Sequence, residues 1–93
     1  LRQPDKGLVS ATLASAAEAS GDLVSAQQYY GQIIAAGHAG AQVYERRGEI
    51  LLKLGAPLEA SSVFAAALAA GFDNLAIRRG YGRSLAWLGR PGD

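Results

Sequence analysis

Glu45 and Glu49 stand four positions apart, the spacing that puts two carboxylates on one helix face and from which a general acid and base pair is built. Such a pair works only where an apolar pocket drives the two carboxyl groups to different protonation states. The neighbours Gln42, Arg46 and Lys53 are polar, so the expected setting is an open, solvated face. Gly80 and Gly82 follow no strand pattern, which excludes a dinucleotide-binding loop. No GxSxG, P-loop or HExxH pattern occurs. His38 is the single His and there is no Cys, so thiolate metal sites and disulfides are excluded and no metal site is expected. Flanked by Gly37 and Gly40, His38 reads as a connector residue. The expectation is a protein without catalytic residues, metal or cofactor.

Nine basic against eight acidic residues leave a net charge of +1. A nucleic-acid surface requires a concentrated positive field, which this intermixed pattern does not provide. The longest apolar run, Val63 to Ala70, falls far short of the roughly 20 residues of a membrane-spanning helix, so no spanning segment is expected. The chain starts at Leu1 and contains no Met, so its natural start is expected upstream.

The elements that must carry these residues follow from an internal repeat. An offset of 34 residues lays Gly7 to Gly40 on Ala41 to Asn74 without gaps, and Leu75 to Asp93 on the first half of each. Ala26 falls on Ala60, Tyr30 on Phe64 and Ile34 on Leu68; Gly21, Gly55 and Gly89 coincide. Within each unit apolar or small residues recur three and four apart, the helical period: Leu13, Ala17 and Ser20, then Leu23, Ala26, Tyr30 and Ile33. The second unit repeats the pattern with Tyr44, Gly48, Leu51 and Leu54, then Ala60, Phe64, Ala67 and Leu68. Gly21, Gly55 and Gly89 are expected to end the first helices in the left-handed conformation. Pro57 and Pro91 suit the first turn of the helices that follow. Ala-rich stretches such as 65–70 disfavour strands. About five helices result: units over 7–40 and 41–74, and the first helix of a third over 75–93.

The series Tyr44, Arg47, Gly48, Leu51, Gly55, Ala60, Phe64 and Ala67 resembles the tetratricopeptide repeat signature, a 34-residue helix-turn-helix. The resemblance covers Gly7 to Asp93 and departs from the signature in places. Ser10, Tyr44 and Arg78 stand at the Trp position, Leu13, Arg47 and Tyr81 at the Leu position, and His38 and Phe72 replace the closing Pro. Arg47, at a place usually buried, is expected to snorkel or to find a partner. Gly48 and Gly82 are expected to let paired helices approach closely, with Tyr30 and Phe64 filling the space between neighbours. The third unit lacks its second helix, so Tyr81, Leu85 and Leu88 are expected to be uncovered, in a fragment of a longer array or in a capping helix with Arg78, Arg79, Arg83 and Arg90 on its face.

What the resemblance implies is an all-α, right-handed α-solenoid of antiparallel helix pairs that binds a protein or peptide on its concave face. The family's concave positions fall on Leu8, Ala11, Ser15 and Glu18 in the first unit and on Gln42, Glu45, Arg46, Glu49 and Lys53 in the second. In the third they fall on Ala76, Arg79, Arg83 and Trp87. Glu45 and Glu49 beside Arg79 and Arg83, with the only Trp at the edge, suit a peptide held by mixed charge and one aromatic anchor. The alternative is a solvated face in which Glu45, Glu49 and Lys53 interact along their own helix. The Lys and Asn clamp with which some relatives hold a C-terminal carboxylate is not matched. The stretch 77–92 and the Gly21-Asp22 turn resemble TadD-type lipoproteins of Flp (Tad) pilus assembly. That implies a lipid-anchored parent at a bacterial outer membrane, with a cytoplasmic location as the alternative. A rival expectation is homo-oligomerisation through the uncovered third-unit helix.

Overall fold

The computed structural model describes residues 6–89, and these form five α-helices and no strand. They are α1 (Lys6–Ser20), α2 (Leu23–Ala35), α3 (Ala41–Lys53), α4 (Pro57–Ala69) and α5 (Leu75–Leu88). The starts of α2 and α4, and those of α3 and α5, differ by the offset at which the sequence repeats. None of these helices is long and apolar enough to cross a membrane.

Local chemistry fixes the ends. The Asp22 carboxylate accepts the Ser25 N–H (3.2 Å) and caps α2. Asn74 does the same for α5 through the Ile77 N–H (2.9 Å), and Pro57 opens α4 in its first turn. Each reversal turns on a left-handed glycine: Gly21 (φ 84°), Gly37 (79°), Gly55 (77°) and Gly71 (92°). The residue after each donates its N–H back across the turn, Asp22 to Ala17, His38 to Ile33, Ala56 to Leu51 and Phe72 to Ala67, at 2.9–3.3 Å. Gly89 differs from expectation. Its φ of −89° is ordinary backbone, and the residues that would close such a turn, Arg90 and Pro91 among them, lie outside the described residues.

Successive helices pack on one another, and α3 also packs on α5. The start of α1 meets the end of α2, where Ser10 Oγ donates to Gln32 Oε1 (2.9 Å). Two apolar clusters result. Ala14, Ala26, Tyr30, Ile33 and Ile50 form one; Leu51, Ala60, Val63, Phe64, Ala67 and Ile77 form the other. Adjacent residues of α3, Ile50 and Leu51, thus enter different clusters. Along α1 the buried positions are Ser10 and Ala14, while Leu13 is 42 % exposed, so the stripe expected through Leu13 is rotated by one position. In α3, Tyr44, Gly48 and Leu51 lie inward as expected, but Leu54, past the end of the helix, is exposed.

Phe64 is the pivot of the second cluster. Its ring is fully buried, and a Cβ added at Gly48 or at Gly80 would stand 2.3 or 2.2 Å from its Cζ. The ring therefore lies between the backbones of α3 and α5. Gly82, expected to allow close approach, would have nothing within 4 Å of an added Cβ, because no described segment covers that side of α5. Gly80, two positions earlier, faces Phe64 instead. Arg47 behaves as anticipated: half-buried, it donates from Nε to the Gln27 carbonyl (3.2 Å) and rests against Gly31.

Candidate protein-binding face

The charged positions singled out in the sequence divide between two seams. At the first, between α1 and α3, Arg46 Nη1 pairs with Glu18 Oε2 at 3.1 Å. The Tyr30 hydroxyl emerges from the core of α2 and donates to Glu18 Oε1 at 2.7 Å. Burial, the Glu18 hydrogen bond and the Glu18 charge, in that order, push the Tyr30 hydroxyl up to about 12, with Arg46 opposing. Ser15, Ala19 and Gln42 complete a recess of ≈ 500 Å³ around this group. Ala11 is half-buried, so it adds little to the open surface, and the side chain of Leu8 lies outside the described residues.

At the second seam, α3 and α5 meet through two side-chain hydrogen bonds, one between residues 29 apart and one between residues 34 apart. Near the start of α5, Asn74 turns its amide on Glu45, with Nδ2 donating to Oε1 at 2.6 Å. Further along, Arg83 donates to Glu49 across the seam. Beyond that, Lys53 and Trp87 line one cleft of ≈ 380 Å³ together with Leu52 and Ala86. On the other side of the Glu49–Arg83 pair, Ala76, Arg79 and Gly82 line a second recess of ≈ 540 Å³. Residues 34 apart in the sequence thus face each other: Glu49 with Arg83, and Lys53 with Trp87 across the cleft.

This arrangement changes the chemistry expected of the carboxylates. Glu45 and Glu49 are both half-buried but engaged separately, one by an amide and one by a guanidinium. The contacts expected along α3 between Glu45, Glu49 and Lys53 are replaced by contacts to α5 and its cap. Both carboxylates turn to donors on α5 and its cap, and an exposed i,i+4 pair would have gained only about 0.2–0.5 kcal/mol. Lys53 and Arg79 have no carboxylate within ion-pair distance among the described residues. Arg78, the other Arg in this part of α5, is held by a two-pronged pair with Asp73 (2.5 and 2.7 Å), away from the seam. Among the described residues no three His, Asp or Glu side chains converge as a metal site would require.

Trp87 is 41 % exposed and borders the cleft; Leu85 and Leu88, 48 % and 45 % exposed, stand on α5 outside it. Sequence reasoning did not assign Tyr30, Leu52 or Asn74 to this face. For Asn74 a signal existed, since an Asn directly before a helical run is a capping residue whose amide remains free to donate. For Tyr30 it lay in the exchange of Phe64 for Tyr at the equivalent position, which adds one hydroxyl that a buried ring must deliver to a partner. No family model, curated protein or solved structure matches this chain.

Proposed function

We propose that the chain is a tetratricopeptide-repeat module, a right-handed α-solenoid of antiparallel helix pairs, that holds a protein partner on the face lined by α1, α3 and α5. The observation that carries this reading is a contact at the α3–α5 seam that spans one whole repeat: Glu49 reaches Arg83, 34 residues later. α3 and α5, helices related by the repeat, also pack on one another, and two recesses lie along their seam. That face carries cations, carboxylates and an exposed aromatic ring, the composition of a peptide-holding surface. Binding is favoured over catalysis because each carboxylate of the Glu45 and Glu49 turn has its own partner.

Photo-crosslinking in the native organism tests the reading. A crosslinker placed at Gln42 or Ala76, on the face, is expected to trap a partner that the same group at Val24 or Leu58 does not. Val24 and Leu58 are exposed on α2 and α4. Equal adducts from all four positions would remove the face from consideration. The narrower reading, an assembly factor of a bacterial envelope system such as the Flp (Tad) pilus, rests on the resemblance of 77–92 and is supported if the trapped partner is a component of such a machine.

A second reading is favoured by Leu85 and Leu88, which leave an apolar stripe open on α5. In it, that stripe pairs with a second copy, making the chain an oligomerisation element. Sedimentation at several concentrations separates the two, since a strict monomer excludes self-pairing.

A further inference from the structure

We infer that the α3–α5 seam selects an acidic, extended peptide segment, with two carboxylates about four residues apart and an apolar residue between them. This rests on the binding-face reading above and adds the chemistry of the partner. The sequence suggested a groove of mixed charge, but the structure withdraws its acids. Glu45 is occupied by Asn74, at the N-terminus of α5, where the positive end of the helix offsets its charge. Glu49 is neutralised by Arg83. Each recess therefore holds one carboxylate against two cations: Glu49 against Arg79 and Arg83 in one, and Glu49 against Arg83 and Lys53 in the other. The surplus cations, Arg79 and Lys53, are both exposed.

The spacing of the partner's charges follows from the helix. Lys53 lies across the cleft from Trp87, and Arg79 precedes Trp87 on α5 by two turns, which is about 12 Å at the rise of an α-helix. An extended chain advances about 3.3 Å per residue, so its acids reach both cations when about four positions apart. Side chains separated by two and by four positions point to the same side of an extended chain. A residue midway therefore also faces the seam at the level of the Glu49–Arg83 pair, which borders the cleft, and a side chain of Leu length leans from there onto Leu52, Ala86 and Trp87. Lys53 and Arg79, which have no carboxylate within ion-pair distance among the described residues, draw the segment in, and the apolar residue slows its release.

The test uses Trp87, the only Trp, as its own reporter. The probe is a nine-residue acetylated and amidated peptide with Asp at its third and seventh positions, Leu at the fifth, and Gly and Ser elsewhere. Its centred pattern works in either chain direction. A control peptide carries Lys in place of both Asp. With the full chain at low salt, the Asp peptide is expected to shift Trp87 emission, with affinity falling as salt is raised. The double variant Lys53→Glu, Arg79→Glu, checked by circular dichroism to remain helical, is expected to bind the Asp peptide about tenfold more weakly or worse and to gain affinity for the Lys peptide. Equal or tighter binding of the Lys peptide by the native chain overturns the acidic preference and leaves the face intact. The preference is also overturned if the double variant binds the Asp peptide unchanged, or if neither peptide moves the emission. Crosslinking from Gln42 and Ala76 then decides separately whether the face itself survives.

Discussion

Glycine has opposite meanings at three positions of this chain, and the difference is set by what stands opposite each. At Gly48 and Gly80 a methyl group would fall 2.3 and 2.2 Å from Phe64 Cζ, and the ring, wedged between both backbones, has no room to retreat from either. Gly48→Ala and Gly80→Ala are each expected to lower stability by about 1–3 kcal/mol in urea unfolding. At Gly82 the same change meets nothing, so it is expected to raise stability by about 0.5–1 kcal/mol through helix propensity alone. Tyr30 makes a pH prediction. Its hydroxyl is held above the ordinary 10.0, up to about 12, so the native chain keeps this proton longer than the unfolded one. That contribution is whole below pH 10.0 and is lost as pH rises towards 12. Tyr30→Phe is expected to flatten the fall of stability over this range, measured by chemical unfolding at stepped pH. The carboxylates run the other way. Hydrogen bonds from Ser25 hold Asp22 below its ordinary value, and Arg78 does the same for Asp73, so what they contribute is present above pH 3.8 and lost on acidification below it.

Helices were the most legible level of this protein, and the residues around α5 show both the reach and the limit of that reading. Period and offset gave the all-helical class and the number of helices among the described residues, because an apolar stripe and a glycine reversal are local properties. They also located Pro57 at the opening of α4. They did not show that the reversals at Gly37 and Gly71, themselves one repeat apart, use the same left-handed turn as Gly21 and Gly55, although that spacing was visible. The rotation of the α1 stripe from Leu13 to Ala14 was illegible, because α1 carries small residues on every face, Ala11, Ala14, Ala16 and Ala17 among them, and leaves the orientation to tertiary packing. The candidate face was legible as a set of residues and not as a pattern of pairings: which cation Glu49 chooses depends on the separation of two helices. Asn74 ties these elements together, capping α5 with its carbonyl and holding Glu45 with its amide. Asn74→Ala is expected to cost about 1–2 kcal/mol, visible as a lower unfolding midpoint. Asn74→Asp keeps the cap but sets a second carboxylate on Glu45, so it too is expected to lower the unfolding midpoint.

At the scale of the molecule, the described chain is long and narrow, 56 × 29 × 17 Å, with its apolar residues in two clusters instead of one. The cluster at the α1–α2 end contains five buried residues, one of them a Tyr that spends its hydroxyl on Glu18; the cluster around Phe64 contains six and no such polar tip. Fewer buried side chains therefore hold the first end together. Hydrogen exchange is expected to show amides of α1 and α2 opening before those of α4, in a gradient along the long axis. Ile50 couples the halves, because it enters the first cluster from the helix that gives Leu51 to the second. Ile50→Ala is expected to lower stability by about 2–5 kcal/mol and to widen that gradient by releasing α1 and α2 first.

The phenyl group trapped between two glycine backbones has a dynamic consequence. A ring gripped on both faces at crystalline density can rotate about its long axis only when α3 and α5 momentarily part. Its paired ortho and meta protons are expected to give separate resonances that merge on warming, with a rate that times the breathing of the seam. A segment lodged across that seam ties the same helices together from outside, and so is expected to slow the flip. The interior of the protein would then report, by its spectral line shape, whether the outer surface is occupied.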